Sequence, residues 1–375
     1  MSLASTESIA ASSARPAASV QRVRRSGGER QPICVFVGNH ASMHGIGEIL
    51  YSLYTSMAAH HSVMVSPSIR PDAINVIIDE FSNPMLVTAL RRVKERHPRT
   101  RYIVVATEFV TDVCLLGLGL GRTFNFFGTV GDWKALIKTH LRRAITGRHS
   151  YLHRRYTGFI EVLSLCDLLL ATHPAILSGL AMLGDGSARR PQPLLLYPEI
   201  ELDFSPTRLE ELPFGFTMSG TLTRFRRRCV RKLLDQLDDL NRPVYKYTPF
   251  SASRQLVLSS AGFGFDRGMD AGEYLFNLNP PQSANWPYSS PMRILRAALL
   301  GQIPVVTKKF DDHPIERIAQ LWDPQESAVA LWHAAEFDRE SLVTQYVHSI
   351  AEYNAFAKSM NSEVLAAVSA VGNAH

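Results

Sequence analysis

The sequence predicts an α/β protein in which two units, each built on a parallel sheet, face one another across a cleft. Three observations lead to this prediction. Short β-rich runs alternate with helical stretches, the runs are apolar at consecutive residues, and the pattern pauses near residue 205 and then restarts. Consecutive apolar residues are typical of strands buried on both faces, as in a parallel sheet covered by helices.

The first unit is predicted to span residues 31–205. Its strands are placed in the runs ICVFVGN, SVMVS, INVIIDEF, RYIVVATE, LLLATHP and PLLLYPEI. Between them, residues 83–97 place Leu86, Leu90 and Val93 on one helical face, which predicts an amphipathic helix.

The second unit is predicted to span residues 206–335, with strands in FGFTMSG, PVYKY, EYLFNLNP and IPVV. Residues 197–213 join the two units. They contain three prolines and five carboxylates without a periodic apolar face, which is typical of a linker. Residues 336–375 are predicted to be helical and long enough to pack back across the first unit.

Composition is that of a globular protein, because 46% of the 375 residues are hydrophobic and 20% are charged. No apolar run is long enough to span a membrane. Four cysteines lie far apart with no CxxC pair, and they predict buried free thiols in a reducing compartment and no zinc site. They are Cys34, Cys114, Cys166 and Cys229.

Residues 1–30 are rich in Ala, Ser and Arg and lack the apolar core of a secretory signal. They predict a disordered tail, with a transit peptide as the alternative. We therefore expect a cytoplasmic protein.

Residues 289–306, SSPMRILRAALLGQIPVV, predict a capped helix followed by a short strand. Ser289 or Ser290 can serve as the N-cap, and Pro291 suits the first helical position. Gly301 suits the position after the last turn.

Arg293 and Arg296 lie three residues apart near the start of this helix and therefore share a face. The helix dipole disfavours a cation there by roughly 0.3–1 kcal/mol. A bound diphosphate would reverse that sign, because backbone amides, dipole and guanidinium groups would all face an anion. Pairing of the arginines with carboxylates such as Glu273 or Asp311 is the alternative.

A second candidate anion site lies in TMSGTLTRFRRR, residues 217–228. A strand that ends at Gly220, followed by a helix that begins near Thr221, is a geometry that can cradle phosphate. Arg224, placed about one turn into that helix, could reach the phosphate. The run Arg226–Arg228 is predicted to be a solvated face.

The loop GNHASMHGIGE after the first strand supplies candidate acid–base groups. Gly45 and Gly47 allow the backbone to approach a substrate closely. His40, His44 and Glu48 would project from the end of the strand into the cleft, where histidine or carboxylate can act as a general base. Loop histidines that face solvent are the alternative.

Two further candidates follow other strands of the first unit. His173, near the end of LLLATHP, is a donor-side candidate, and Glu108 ends RYIVVATE. Both are expected at the same edge of the sheet, although Glu108 could equally cap a helix.

The excess positive charge lies in residues 122–155, which contain eight arginines and lysines against Asp132 alone. A helix is predicted here, with apolar residues on one face and Lys134, Lys138 and Arg142 on the other; the apolar set is Trp133, Leu136, Ile137, Leu141 and Ile145. Such a helix can lie on an anionic membrane. A core-facing helix with a solvated charged face is the alternative, and nucleic acid is not predicted because no recognised module accompanies the segment.

Several stretches resemble motifs of the GT-B glycosyltransferases. The segment with Arg293 at its start and GQIPVV at its end resembles their donor-binding helix and strand, closest to exostosin-like and fucosyltransferase-like patterns. LLYPEIELDFSP is similar to their interdomain stretch, and HGIGEILYSL resembles their first glycine loop. The motifs occur in the expected order over most of residues 33–320.

The resemblance implies two Rossmann-like domains, with the acceptor handled by the first and a nucleotide sugar bound by the second. It implies transfer of a sugar to a glycan or lipid-linked acceptor without a cofactor or a metal, and the sequence has no Asp-x-Asp motif. Tyr288 and Arg296 stand about where the retaining pattern has its two glutamates. A non-catalytic GT-B-like protein that binds nucleotide or glycan is therefore the alternative function.

Overall fold

The computed structural model describes most of the chain from residue 31 to residue 373. The described residues are 31–36, 53, 56–58, 60–78, 81, 83–115, 118–126, 128, 130–147, 151–181, 183, 191–200, 206–219, 222–237, 245–248, 256–259, 262–265, 274–284, 286 and 290–373. Several predictions lie outside them: the tail 1–30 and residues His40, His44, Gly45, Gly47, Glu48, Gly220, Thr221 and Ser289.

The first unit contains a six-stranded parallel sheet whose strands follow the order β2-β1-β3-β4-β7-β8. Each strand lies within one of the predicted apolar runs. The strands are β1 Ile33–Phe36, β2 Val63–Ser66, β3 Ile74–Ile77, β4 Arg101–Ala106, β7 Leu168–Ala171 and β8 Leu194–Leu195.

Helices and a hairpin accompany this sheet. The helices are α1 Pro84–Arg96, α2 Val130–Thr146, α3 Tyr151–Leu163 and α4 Pro174–Ala181. The antiparallel hairpin of β5 Val110–Leu115 and β6 Leu118–Phe124 belongs to neither parallel sheet and was not predicted.

The second unit contains a five-stranded parallel sheet in the order β10-β9-β13-β14-β15. Its strands are β9 Phe216–Ser219, β10 Tyr245–Thr248, β13 Phe276–Leu278, β14 Ile303–Val306 and β15 Gln320–Leu321. A separate hairpin joins β11 Leu256–Ser259 and β12 Gly262–Phe265. The helices are α5 Pro206–Glu211, α6 Arg224–Leu237, α7 Pro291–Leu299, the 3-10 helix Pro314–Ile318 and α8 Val329–Phe337.

The last helix, α9 (Arg339–Asn373), contributes to the cores of both units. Its first half, including Tyr346 and Ile350, is buried with the strands of the five-stranded sheet. Near its end, Val364 and Val368 are buried with the strands of the six-stranded sheet. The predicted fold class is therefore confirmed: two parallel α/β units, with a C-terminal helix that packs back on the first.

Two asparagines on α9 hold the segment that joins the units. Asn361 accepts from the backbone N–H of Tyr197 at 3.0 Å and donates to its carbonyl at 2.7 Å. Asn354 does the same for Ile200, at 2.9 and 2.7 Å. Each side-chain amide therefore satisfies both backbone groups of one linker residue, as a neighbouring strand would.

Three predictions about this scaffold are wrong. Cys114 is exposed because it lies on the β5–β6 hairpin, whereas Cys34, Cys166 and Cys229 are buried as predicted. Residues 197–213 are predicted to be a linker without a periodic apolar face, but they contain α5, which buries Leu209 in the core of the second unit.

The third error concerns α2, which forms as predicted but has no buried residue. Of the predicted apolar face, Trp133 and Leu136 are half-buried and the other three residues are exposed, so this face is not buried in a core. In the described part of the chain, no helix is long and apolar enough to cross a membrane.

Candidate functional site

The carboxyl edge of the five-stranded sheet brings together the segments that carry the candidate anion-binding residues. β9 and β13 are neighbours in this sheet, and β14 lies beside β13. A buried polar network fixes the three strands to one another. In it, the amide oxygen of Gln302 accepts from Asn277 at 2.8 Å, and the amide nitrogen of Gln302 donates to the Thr217 hydroxyl at 2.8 Å.

Two arginines converge on one backbone carbonyl just beyond β13. Arg226 Nε donates to the oxygen of Pro280 at 3.1 Å, and Arg293 Nη1 donates to the same oxygen at 3.2 Å. Arg226 comes from α6 and Arg293 from the first turn of α7. The two helices thus present guanidinium groups to the same point at the sheet edge.

Arg226 is 0% exposed, so the prediction of a solvated Arg226–Arg228 run is wrong at this residue. Arg227 and Arg228 are exposed as predicted. The sequence did hold a signal, because Arg226 precedes buried Cys229 and Val230 by three and four residues. That spacing places Arg226 on the apolar face of α6, where its stem can pack and its head can reach the sheet edge.

The start of α6 is tied to the segment that follows Pro280. The Thr223 hydroxyl donates to the carbonyl of Gln282 at 2.8 Å and accepts from the Arg226 N–H at 3.3 Å. Arg224 is the first residue of α6, not one turn into it, and its side chain is exposed. In this structure Arg226, rather than Arg224, is the α6 arginine at the sheet edge.

α7 begins as predicted, with Ser290 at the N-cap and Pro291 at the first helical position. The Ser290 side chain makes no capping hydrogen bond. Arg293 has no carboxylate partner among the described residues; Asp311 is one of these, whereas Glu273 lies outside them. Arg296 is half-buried on the same helix.

His173 lies between the two units, at the end of β7. Its ring is 1% exposed and its Nδ1 accepts from the N–H of Ala175, the second residue of α4. Because Nδ1 is an acceptor, the neutral ring carries its proton on Nε2. That Nε2 lies 3.5 Å from Asp312 Oδ1, in the segment after β14. The predicted placement of His173 at a strand end is confirmed, and the carboxyl edges of both sheets meet there.

His313 stacks on His173, with ring centroids 5.6 Å apart. Its Nδ1 accepts from the N–H of Ile315, which caps the 3-10 helix. Burial, followed by the neighbouring His173, lowers the pKa of His313 to about 3. His313 is therefore neutral near pH 7 and carries its proton on Nε2. That atom is buried without a hydrogen-bond partner among the described residues.

The segment that carries Asp312 and His313 is held by one carboxylate. Glu316 accepts from the backbone N–H groups of Phe310 and Asp311 at 2.9 and 2.7 Å. Asp311 has a left-handed backbone (φ 55°), which such a tight turn requires. Burial raises the pKa of Glu316, although both backbone hydrogen bonds oppose the shift. Sequence reasoning did not single out Asp312, His313 or Glu316.

Glu108 is half-buried and makes an ion pair. Its Oε1 lies 2.7 Å from Nη1 of Arg155, and Asn125 donates to its other oxygen. The suggested helix-capping role of Glu108 is not seen. Arg155, which was counted in the basic segment, is buried in this pair.

Within the described ranges, no group of three His, Cys, Asp or Glu residues is arranged to hold a metal ion. Metal independence stays a prediction.

Comparisons with known proteins return no match to a protein-family model and none to a curated protein. Solved structures give distant likenesses. A trehalose-phosphate synthase (UDP-forming) from Burkholderia vietnamiensis has a TM-score of 0.44 at 9% identity, covering 89% of this chain and 79% of that one. Anabaena HepE in complex with UDP and glucose has a TM-score of 0.38 at 11% identity, covering 91% and 100%.

The pneumococcal O-GlcNAc transferase GtfA in complex with UDP and GlcNAc has a TM-score of 0.40 at 8% identity. The alignment covers 87% of this chain and 60% of GtfA. At TM-scores below 0.5 these likenesses carry no argument, so the fold and site of this chain rest on its own residues.

Proposed function

We propose that the protein is a GT-B glycosyltransferase that takes a sugar from a nucleotide-sugar donor. The observation that carries the proposal is the convergence of Arg226 and Arg293 on the carbonyl of Pro280. It lies at the carboxyl edge of a parallel sheet, where ligands of such folds bind.

Two guanidinium groups that share one carbonyl oxygen lie close enough to repel each other. A diphosphate beside them would accept charge-assisted hydrogen bonds from arginine and from the first N–H groups of α7. Such an anion would also favour the arginine in the first turn of α7, which the helix dipole otherwise disfavours. The pair therefore fits the pyrophosphate of a nucleotide sugar.

The first unit is proposed to supply the groups that act on the acceptor. His173 lies at the junction of the two carboxyl edges and contacts Asp312. His40, His44 and Glu48 stay candidates for the general base, and Gly45 and Gly47 for close substrate approach. Gly220, Thr221, Ser289, Ser290 and Arg296 stay candidates for the donor contacts.

The finer parts of the proposal concern boundaries and partners. We propose an acceptor-side domain at 31–205, a nucleotide-sugar domain at 206–335 and returning helices at 336–375. We further propose a cytoplasmic, metal-independent enzyme whose acceptor is a glycan or a lipid-linked molecule.

Calorimetric titration of the full chain against nucleoside diphosphates and nucleotide sugars, in the presence of EDTA, tests the donor site. We expect at least one ligand to bind. Arg293→Ala should weaken binding by tenfold or more, since a hydrogen bond to a charged group contributes about 1.5–3 kcal/mol. Arg227→Ala, which alters an exposed arginine on α6, is the matched control.

Absence of binding across the panel, or unchanged affinity in Arg293→Ala, would remove the donor-site assignment. Transfer and hydrolysis assays with any donor that binds separate the two candidate functions. Binding without either activity, over a panel of glycan and lipid-linked acceptors, would favour the non-catalytic alternative. The replacement of the two expected glutamates by Tyr288 and Arg296 is the feature that favours this alternative.

A further inference from the structure

The outward face of α2 is apolar, although nothing in the described structure covers it. Val130, Ile137, Leu141 and Ile145 are 72%, 56%, 58% and 81% exposed. They are spaced by seven and four residues, which places them on one side of a helix. A run of large apolar side chains in this arrangement marks a surface that contacts another molecule or a membrane.

α2 is held to the rest of the chain by its other side. There, Trp133 packs edge-on against Phe126, with ring centroids 4.9 Å apart. Trp133 and Leu136 are half-buried, whereas Ile137 points outward. The apolar residues that were predicted to share a face are therefore divided between an anchoring side and an outward side.

The outward face is also basic. Lys134 and Lys138 are exposed, and at about 100° per residue they lie beside the apolar stripe, close to Leu141 and Ile145. Arg142 and Arg143 are exposed in the last two turns. None of these four cations has an acidic partner among the described residues.

The positive charge of α2 determines which partner can bind to its outward face. A second copy of the chain, docked through the same face, would bring two sets of unpaired cations together, which is unfavourable. Residues 1–30 fit no better, because they contain five arginines and only two glutamates. An anionic lipid bilayer offers both negative headgroups for the cations and an apolar layer for the isoleucines and leucine.

We propose that α2 docks on an anionic membrane surface, with Val130, Ile137, Leu141 and Ile145 entering the headgroup boundary. The preceding β5–β6 hairpin adds exposed Leu118 and Leu120. It is tied to α2 through Phe126, which follows β6 and packs on Trp133. The attachment is peripheral and independent of nucleotide binding.

Co-sedimentation of the full chain with vesicles tests this surface in the absence of nucleotide. One set of vesicles is pure phosphatidylcholine, and the other contains about one third phosphatidylglycerol. We expect binding to the anionic set only, weakened when the salt concentration is raised, because screening reduces the attraction between lysine and headgroup.

Two double variants separate the charged from the apolar contribution. Lys134→Glu with Lys138→Glu should reduce partitioning at least tenfold. Ile137→Ser with Leu141→Ser should abolish it even at low salt, because the apolar residues insert. Arg91→Glu with Arg92→Glu, the same charge change on exposed residues of α1, should bind as the wild type does.

Circular dichroism confirms that each variant is folded. Equal binding to both vesicle sets, no binding to either, or an equal loss in the α1 control would overturn the proposal. So would concentration-dependent dimerisation that the Ile137→Ser/Leu141→Ser variant abolishes, since the occupant would then be a second copy. Failure of the nucleotide titration leaves this test unaffected.

Discussion

Arg226 and Arg293 donate to the same oxygen, the carbonyl of Pro280, at 3.1 and 3.2 Å. The two residues differ in burial, since Arg226 is fully buried and Arg293 partly exposed. Two cations this close repel each other, and an anion bound beside them would offset that repulsion. Through this shared carbonyl, a buried residue of α6 lies beside the proposed anion-binding arginine of α7.

Replacing Arg226 by methionine keeps an apolar stem of similar length and removes the charge. We expect the unfolding free energy without ligand to change by less than about 1.5 kcal/mol, because apolar replacements of buried charges are often neutral. Inorganic pyrophosphate should raise the melting temperature of the wild type and leave that of Arg226→Met unchanged.

Thermal unfolding with and without pyrophosphate measures both effects. The matched control is Arg227→Met, which should respond to pyrophosphate as the wild type does. A full pyrophosphate response in Arg226→Met would contradict the assignment of this arginine to the anion site.

Asn361 contributes stability by satisfying both backbone groups of Tyr197. Asn361→Ala should lower the unfolding free energy by about 2–6 kcal/mol, because two buried polar groups lose their partners at about 1–3 kcal/mol each. Ser362→Ala, at the exposed next position, should change it by less than about 0.5 kcal/mol. Urea unfolding of both variants checks the difference, and equal values would show that the linker segment finds other partners.

Gly158 allows α3 to pack against the backbone of Phe81. A Cβ at this position would lie 1.8 Å from the Phe81 carbonyl oxygen. We expect Gly158→Ala to destabilise the protein by about 3 kcal/mol or more, since backbone must move to relieve the clash. Gly119→Ala, where a Cβ would meet nothing within 4 Å, is the control. Similar melting temperatures for the two variants would contradict this packing.

Much of the scaffold could be predicted because its signals are local. β7 is apolar at every residue and β3 at every residue but Asn75, since both faces of their sheet are covered. α7 begins at Pro291 and ends before Gly301, which has a positive φ of 70°. These features are read directly from neighbouring residues.

The parts that were missed depend on contacts between distant residues or on conflicting signals. Asn361 meets Tyr197 across 164 residues, and nothing near either residue indicates the pair. In the hairpin β5–β6, Gly117, Gly119 and Gly121 alternate with leucines, and glycine weakens the signal for a strand. The arginines next to Arg226 predict a charged surface, although its spacing from Cys229 and Val230 places it inside. The candidate base among His40, His44 and Glu48 stays a prediction.

His313 makes stability depend on pH. Because burial lowers its folded pKa to about 3 from an ordinary value of 6.5, the unfolded chain takes up the proton first as pH falls. The unfolding free energy should therefore decrease between pH 6.5 and 4, by up to about 1.4 kcal/mol for each pH unit. This contribution is fully present above pH 7 and is lost on acidification.

His313→Asn isolates the contribution of this residue. Asparagine can still accept from the Ile315 N–H as an N-cap, but it does not titrate. The neighbouring His173 and Asp312 are the same in both proteins, so the substitution changes only residue 313. Urea unfolding at several pH values should show the wild type losing stability more steeply than His313→Asn on acidification. Parallel profiles would mean that His313 becomes protonated in the folded protein as readily as in the unfolded chain, and that its ring reaches solvent.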